Sequence, residues 1–309
     1  MTRVGISIHD SLFVADPARR RGLLDLAVQA GLDHFCVADH VSFHDGTGFD
    51  GLTAAGAALC SQDALPLLVG IYLLGLRHPM LAARQLASLS QLAPGRLVLG
   101  VGVGGEDRRE ISNSGVDPAT RGRRLDETLL LMRRLATGEV IDHKGEFFTL
   151  EQASIRPAPE PPVPLVIGGR GEAAIRRTAR YGDGWLGIFC TARRFAQTRE
   201  AIAEAAAAHG RAIPGWYGLN VWCGLDREAA RARELLDQRL RALYCLPYEK
   251  FQHVAPVGTP AQVAEWLAPF VGQAEHITLV PASSSPEAGI EHAAQVREHL
   301  RAGASAGLN

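Results

Sequence analysis

Three short stretches of this 309-residue chain carry residue types suited to chemistry. The first is Asp39-His40, where an apolar run ends and a polar loop, VSFHDGTGFDG, begins. Histidine exchanges protons near neutral pH, and a neighbouring carboxylate can set its tautomer or its charge. The pair therefore suits proton transfer; the alternative is that Asp39 caps loop backbone and His40 is a bystander. The second is VIGGRGEAAIRRTA, in which a β-like run passes through Gly168, Gly169, Arg170 and Gly171 straight into a helical pattern. Glycines let backbone approach a ligand, and the free N–H groups of a helix start favour an anion. Arg170 adds a positive charge, so a phosphate is the natural occupant; without one, the stretch is a tight turn. The third is GRLVLGVGVGGEDRRE, where Gly100, Gly102 and Gly105 spell G-x-G-x-x-G. That match is weak by itself, and no long apolar-periodic helix follows it, which argues against a dinucleotide fold. Gly102 and Gly104 instead leave flat space for a planar ring.

His40, His44 and Asp45 offer a metal reading, but barrel metallohydrolases want H-x-H near the start, and the first strand offers only His9-Asp10. No metal is expected. Tyr72, Trp185, Phe189 and Trp222 could wall an apolar pocket, although aromatic residues on strands serve as readily in the core.

Positioning these groups falls to a regular alternation of elements. The pattern predicts strands over 3–9, 33–38, 66–73, 96–103, 164–168, 184–189, 216–223 and 275–280. They are mostly apolar rather than alternating, as parallel strands buried on both faces are. Amphipathic helical patterns separate them: Leu23, Leu26, Ala27 and Ala30 share a face, as do Leu125, Leu129, Met132 and Leu135. Asp226 is placed to cap the helix after it, and Ser285-Pro286 to start the last one. Eight such units predict one α/β domain, a (β/α)₈ TIM barrel, with insertions at about 138–163 (a hairpin turning at Lys144-Gly145) and 246–260. In a barrel the chemistry sits at the C-terminal ends of the strands. That rule gathers His9, Asp39-His40, Gly70-Ile71-Tyr72, Gly102 to Gly104 and Gly168 to Gly171 as candidate site residues.

Composition excludes several classes. Hydrophobic residues make up 47% and charged residues 21%, which is ordinary for a globular protein, and 32 basic residues balance 33 acidic ones. The arginine clusters fall in helical patterns that also carry acids, so neither nucleic acid nor a membrane surface is an expected partner. Five cysteines without a C-x-x-C pair fit a reducing cytoplasm. No signal peptide and no membrane span are expected.

In combination, AGLDHFCVADH, RHPMLAARQLASLSQLAPGRLVLGVGVGG, RGRRLDETLLLMRRL, GEVIDHKGEFFTL and PVPLVIGGRGEAAIRRTARYGDGW resemble the luciferase-like monooxygenase superfamily, in order and spacing, over about residues 3–190. The resemblance implies a luciferase-like (β/α)₈ barrel, usually a homodimer through helices near 51–61 and 79–93. It implies an oxidoreductase using coenzyme F420 in hydride transfer to a small organic substrate, or alternatively reduced FMN with oxygen; a non-catalytic flavin-binding barrel is a further alternative. It puts Asp39-His40 near the reactive ring, with Asp39 orienting His40. It puts a non-prolyl cis peptide at Gly70-Ile71 beneath the ring, and the phosphate at Gly168 to Gly171. His9, Tyr72, Gly102 and Gly104 complete the implied cofactor contacts. Luciferases proper carry an arginine where this chain has Val103, which favours the deazaflavin. The loop SFHDGTGFDG lacks the tryptophan expected of a sugar-phosphate dehydrogenase of the deazaflavin group.

Overall fold

The structure, a computed structural model, describes residues 2–8, 16–44, 46–104 and 107–306. The candidate His9 lies outside them, as do Asp45 and Gly105. The fold is a (β/α)₈ TIM barrel, a closed set of eight parallel strands with helices between them. All eight predicted strands are present. They are β1 (Arg3–Ile6), β2 (Phe35–Val37), β3 (Leu67–Tyr72), β4 (Leu97–Val101), β7 (Leu165–Gly168), β8 (Gly184–Ile188), β9 (Trp216–Leu225) and β11 (His276–Ala282).

Backbone contacts divide the chain into two compact units, each discontinuous in sequence. One comprises 37–184 and 205–214. It carries β3, β4 and β7 as hydrogen-bonded neighbours, with β2 ending at its first residue. Its helices are α2 (Gly51–Ser61), α3 (Pro79–Leu92), the short α4 (Arg108–Asn113), α5 (Arg121–Leu135) and α6 (Glu172–Tyr181). The expected hairpin is β5 (Ile141–Lys144) against β6 (Thr149–Ala153), antiparallel. Glu127 on α5 anchors it, accepting from His143 Nε2 at 2.9 Å and from the N–H groups of Phe147 and Phe148. The proline-rich connector follows, with cis bonds at Arg156-Pro157 and Glu160-Pro161.

The other unit comprises 1–36, 185–204 and 215–309. It carries α1 (Pro17–Gln29), α7 (Ala192–Ala208) as far as Glu204, α8 (Ala229–Tyr244), α9 (Pro260–Leu267) and α10 (Pro286–Ala306). Between α8 and α9 the predicted excursion is a turn of 3₁₀ helix at 248–250 and a two-residue strand, β10 (Val257–Gly258), on β9. Its helix starts are written in side chains. Asp16 accepts from the N–H groups of Ala18 and Arg19 ahead of Pro17, and Thr259 forms a capping box with Gln262. Asp226 falls short of its expected role: α8 starts at Ala229, and Asp226 bonds the Glu228 N–H two residues on. Ser285 accepts from the Ala288 N–H at the head of α10, as expected.

Candidate active site

The site is built at the ends of four strands, β2, β3, β4 and β7. Asp39 and His40, adjacent in sequence, face different partners. The Asp39 carboxylate is 2% exposed and meets four donors. Oδ1 accepts from the Gly51 N–H (2.8 Å) and Arg77 Nη2 (2.7 Å); Oδ2 accepts from the Leu73 N–H (2.8 Å) and Arg77 Nη1 (2.7 Å). Burial pushes the carboxyl up from its ordinary range, against Arg77 and the two amides, which pull it down. Four N–H donors aimed at two oxygens leave no room for an acidic proton, so the group is a carboxylate. Among the described residues, no hydrogen bond joins the Asp39 carboxylate to the His40 ring. The expectation that its carboxylate orients the His40 ring directly is corrected: its acceptor capacity is spent on Arg77 and the backbone.

The group against His40 is Glu110, on α4, which the sequence did not single out. Its carboxylate is 3% exposed. Oε1 and Oε2 lie 3.2 and 3.3 Å from His40 Nδ1. Oε1 also accepts from the N–H groups of Val41 (2.7 Å) and Ser42 (3.1 Å). Facing a carboxylate acceptor, Nδ1 carries the proton whenever the ring is neutral, which then leaves the lone pair on Nε2. The His40 side chain is 34% exposed, so a reacting group can reach it. The same short helix holds the rest of the loop. Its cap, Asp107, accepts from the N–H groups of Arg109 (2.9 Å) and His44 (2.8 Å). The Arg109 N–H first, and then that of His44, keep the Asp107 carboxyl below the usual range. His44 sits there with φ of 47°, and Phe43 packs between the rings of His40 and His44.

On the neighbouring strand β3 is an apolar shelf. The peptide Gly70-Ile71 is cis, and the β3–β4 register shifts between Val69 and Tyr72, so the expected bulge is present. Ile71 is half-buried, and its side chain explains two glycines. A Cβ on Gly102 would lie 2.2 Å from Ile71 Cδ1, and one on Gly168 would lie 3.0 Å from it. Those glycines make room for Ile71 rather than leaving space open. Gly104 and Gly169 have φ of 67° and 126°, where a side chain is disfavoured. Tyr72, expected to touch the cofactor, is wholly buried (0% exposed) with Arg77 4.3 Å over its ring. It packs behind the shelf, because side chains alternate along a strand. Trp185 is likewise core, against Phe195. Phe189, Tyr244, Phe251 and Trp222 form an aromatic group within the second unit.

The glycine-arginine turn leads straight from β7 into α6, as expected. Gly171 is the N-cap, without a side-chain cap bond, and nothing lies within 4 Å of where its Cβ would be. Arg170 is exposed beside it. An uncapped helix start with open space and a nearby guanidinium suits a phosphate. The apolar shelf, the proton-handling pair and this anion corner fit a phosphate-bearing coenzyme with a planar ring. No helix among the described residues is long and apolar enough to cross a membrane.

Comparisons with known proteins agree with this geometry. The model of the family described as luciferase-like monooxygenase matches residues 2–308. The F420-dependent glucose-6-phosphate dehydrogenase of Beutenbergia cavernae is 34% identical over 199 residues, 61% of this chain and 58% of that protein. The curated relatives are matched over 38% to 66% of their own length. Among solved structures, an F420-dependent secondary alcohol dehydrogenase in complex with an F420-acetone adduct superposes with a TM-score of 0.82 at 21% identity, over 97% of this chain and 99% of that one. Monooxygenase RslO1 from Streptomyces bottropensis gives 0.80 at 22% identity, over 98% and 100%. At such identities the likeness is one of fold.

Proposed function

The chain belongs to the luciferase-like monooxygenase family, and from that premise we propose that it is a coenzyme F420-dependent oxidoreductase acting on a small organic substrate. The observation that carries this reading is the His40–Glu110 pair just after β2, together with the Ile71 shelf near the end of the neighbouring strand β3. When bound, the deazaflavin supplies hydride transfer, the step that side chains cannot perform. The chain's own residues bind, orient and move the proton. Neutral His40 takes a proton on Nε2, and Glu110 steadies the imidazolium through Nδ1. In the reverse direction the same nitrogen returns it. Ile71 and the glycines around it give a planar ring an apolar seat. Gly169, Arg170 and Gly171 hold the phosphate at the head of α6.

The neighbouring relatives favour F420 and name dehydrogenases, which supports a hydroxyl- or carbonyl-bearing substrate. We place the homodimer surface on α2 and α3, where Leu81 and Leu92 are each 66% exposed. The five cysteines, none of them in a disulfide, fit a cytoplasmic enzyme, and we take residues 1–309 as one luciferase-like barrel domain.

The fold likeness to a monooxygenase supports a second reading, a reduced-FMN monooxygenase with His40 acting on the substrate. Fluorescence titration of the purified protein with F420 and with FMN separates the two. Tighter binding of F420 is expected; tighter binding of FMN overturns the first reading in favour of the second.

A further inference from the structure

Arg77 makes no hydrogen bond to His40, yet it is bonded to residues next to His40 and to the Ile71 shelf. It lies just beyond β3, with its side chain 15% exposed. Its fork spans both oxygens of Asp39, at 2.7 Å each, and reaches Asp50 Oδ2 at 3.0 Å and the Leu73 carbonyl at 3.1 Å. Its face lies on Tyr72. Asp39 in turn holds the Leu73 N–H, three residues after Gly70, and the Gly51 N–H at the head of α2. Leu73 is therefore gripped at its N–H by Asp39 and at its carbonyl by Arg77.

This arrangement has one chemical centre. Asp39 is buried, so its charge survives through the guanidinium opposite it. Asp39 is also the residue from which His40 departs, and Leu73 closes the bulged strand that presents Ile71. The His40 ring reaches Glu110 at 3.2 and 3.3 Å, at the long end of N–H···O distances, so a small turn of the 39–40 backbone breaks that bond. The His40 N–H bonds the Phe49 carbonyl at 3.2 Å and holds no better.

We infer that Arg77 is a positioning residue: through Asp39 it fixes the His40 ring on Glu110 and the Ile71 shelf at the end of β3. The inference rests on the reading of His40 as the proton carrier, but its test needs no cofactor. Lysine keeps the charge, yet a single ammonium cannot span both carboxylate oxygens in the plane of the fork. Arg77→Lys therefore separates the positioning role from mere charge balance.

The experiment is ¹⁵N NMR of the His40 ring in the ligand-free protein, wild type and Arg77→Lys, at one pH at which the ring is neutral, with thermal melts alongside. In the wild type the proton is expected on Nδ1. In a folded Arg77→Lys variant the tautomer population is expected to move several-fold toward Nε2–H, because the Glu110 acceptor is no longer in line. If lysine prevents folding, Asp39→Asn with Arg77→Gln removes both buried charges and gives the same readout. An unchanged His40 spectrum in a folded variant overturns the inference and leaves Arg77 a stabilising residue only; failure of both variants to fold does the same. Failure to bind F420 would instead remove the functional reading while leaving this result standing.

Discussion

Glu110 Oε1 lies 3.2 Å from His40 Nδ1 and also takes the N–H groups of Val41 and Ser42, so one buried oxygen sets both the ring and the loop that bears it. The rest of the chemistry depends on that shared acceptor. A ring so held keeps its lone pair on Nε2, and a loop so held cannot turn the ring away.

Replacing Glu110 with Gln should therefore damage two properties at once. An amide presents one oxygen, and its NH₂ must face at least one of the donors, which leaves a buried group unpaired. The expected cost is about 1–3 kcal/mol of stability. Turnover should fall on the order of 10²–10⁴-fold, as for loss of a general acid–base. Chemical denaturation and steady-state rates measure the two effects; a stable but inactive variant would mean that Glu110 does not hold the loop.

Asp39 and His40 are neighbours with opposite sensitivities. Asp39→Ala strands the Arg77 guanidinium and should cost about 3–5 kcal/mol. His40→Ala removes a partly exposed ring and should cost less than about 1 kcal/mol. Denaturant midpoints of the two variants give the comparison, and equal losses would contradict the separate roles assigned to them.

Gly102 and Ile71 should be coupled. Gly102→Ala forces its new methyl onto Ile71 Cδ1, at 2.2 Å if nothing moved, and overpacking of this kind costs about 1–3 kcal/mol. Ile71→Val removes that Cδ1 atom and should recover most of the loss. A double-mutant cycle tests this: the two changes should be non-additive, and simple addition would show that the shelf does not depend on this contact.

Stability should fall in mild acid because of one buried and one half-buried histidine, His34 and His276, in the second unit. Burial holds His34 down at about 3, with His276 adding to the effect, and burial and then Arg3 hold His276 at about 4. Both are neutral when folded, whereas an unfolded histidine takes its proton near about 6.5. The unfolded chain thus binds more protons between those values, and the folded state loses ground as pH drops from 6.5 toward 4. Urea unfolding at several pH values reads the slope. His34→Gln should flatten it, and an unaltered slope would assign the acid sensitivity elsewhere.

The strands were legible because each is a short apolar run closed by a turn, and all eight fell within a few residues of their predicted limits. Asp39-His40 was legible because chemistry-bearing residues stood together at a strand end. Glu110 was not: it reaches His40 across 70 residues of sequence, from a six-residue helix too short to announce a face. The signal available was Asp107, a capping acid one turn ahead of a second acid, directly after the glycine-rich end of β4. Arg77 sat unremarked ahead of His78-Pro79, where it reads as a solvated charge before a helix. Tyr72 is harder to read from the sequence, because the bulge leaves Gly70 and Ile71 half-exposed and Tyr72 buried behind them.

The most direct test of the central claim compares binding with turnover in His40→Ala. F420 affinity is read by fluorescence, and F420 reduction is followed with propan-2-ol and with glucose 6-phosphate as donors. The expected result is a dissociation constant within about threefold of wild type, since the ring and phosphate seats are intact, and a rate lower on the order of 10²–10⁴-fold with whichever donor the wild type uses. A variant that turns over at the wild-type rate would contradict it.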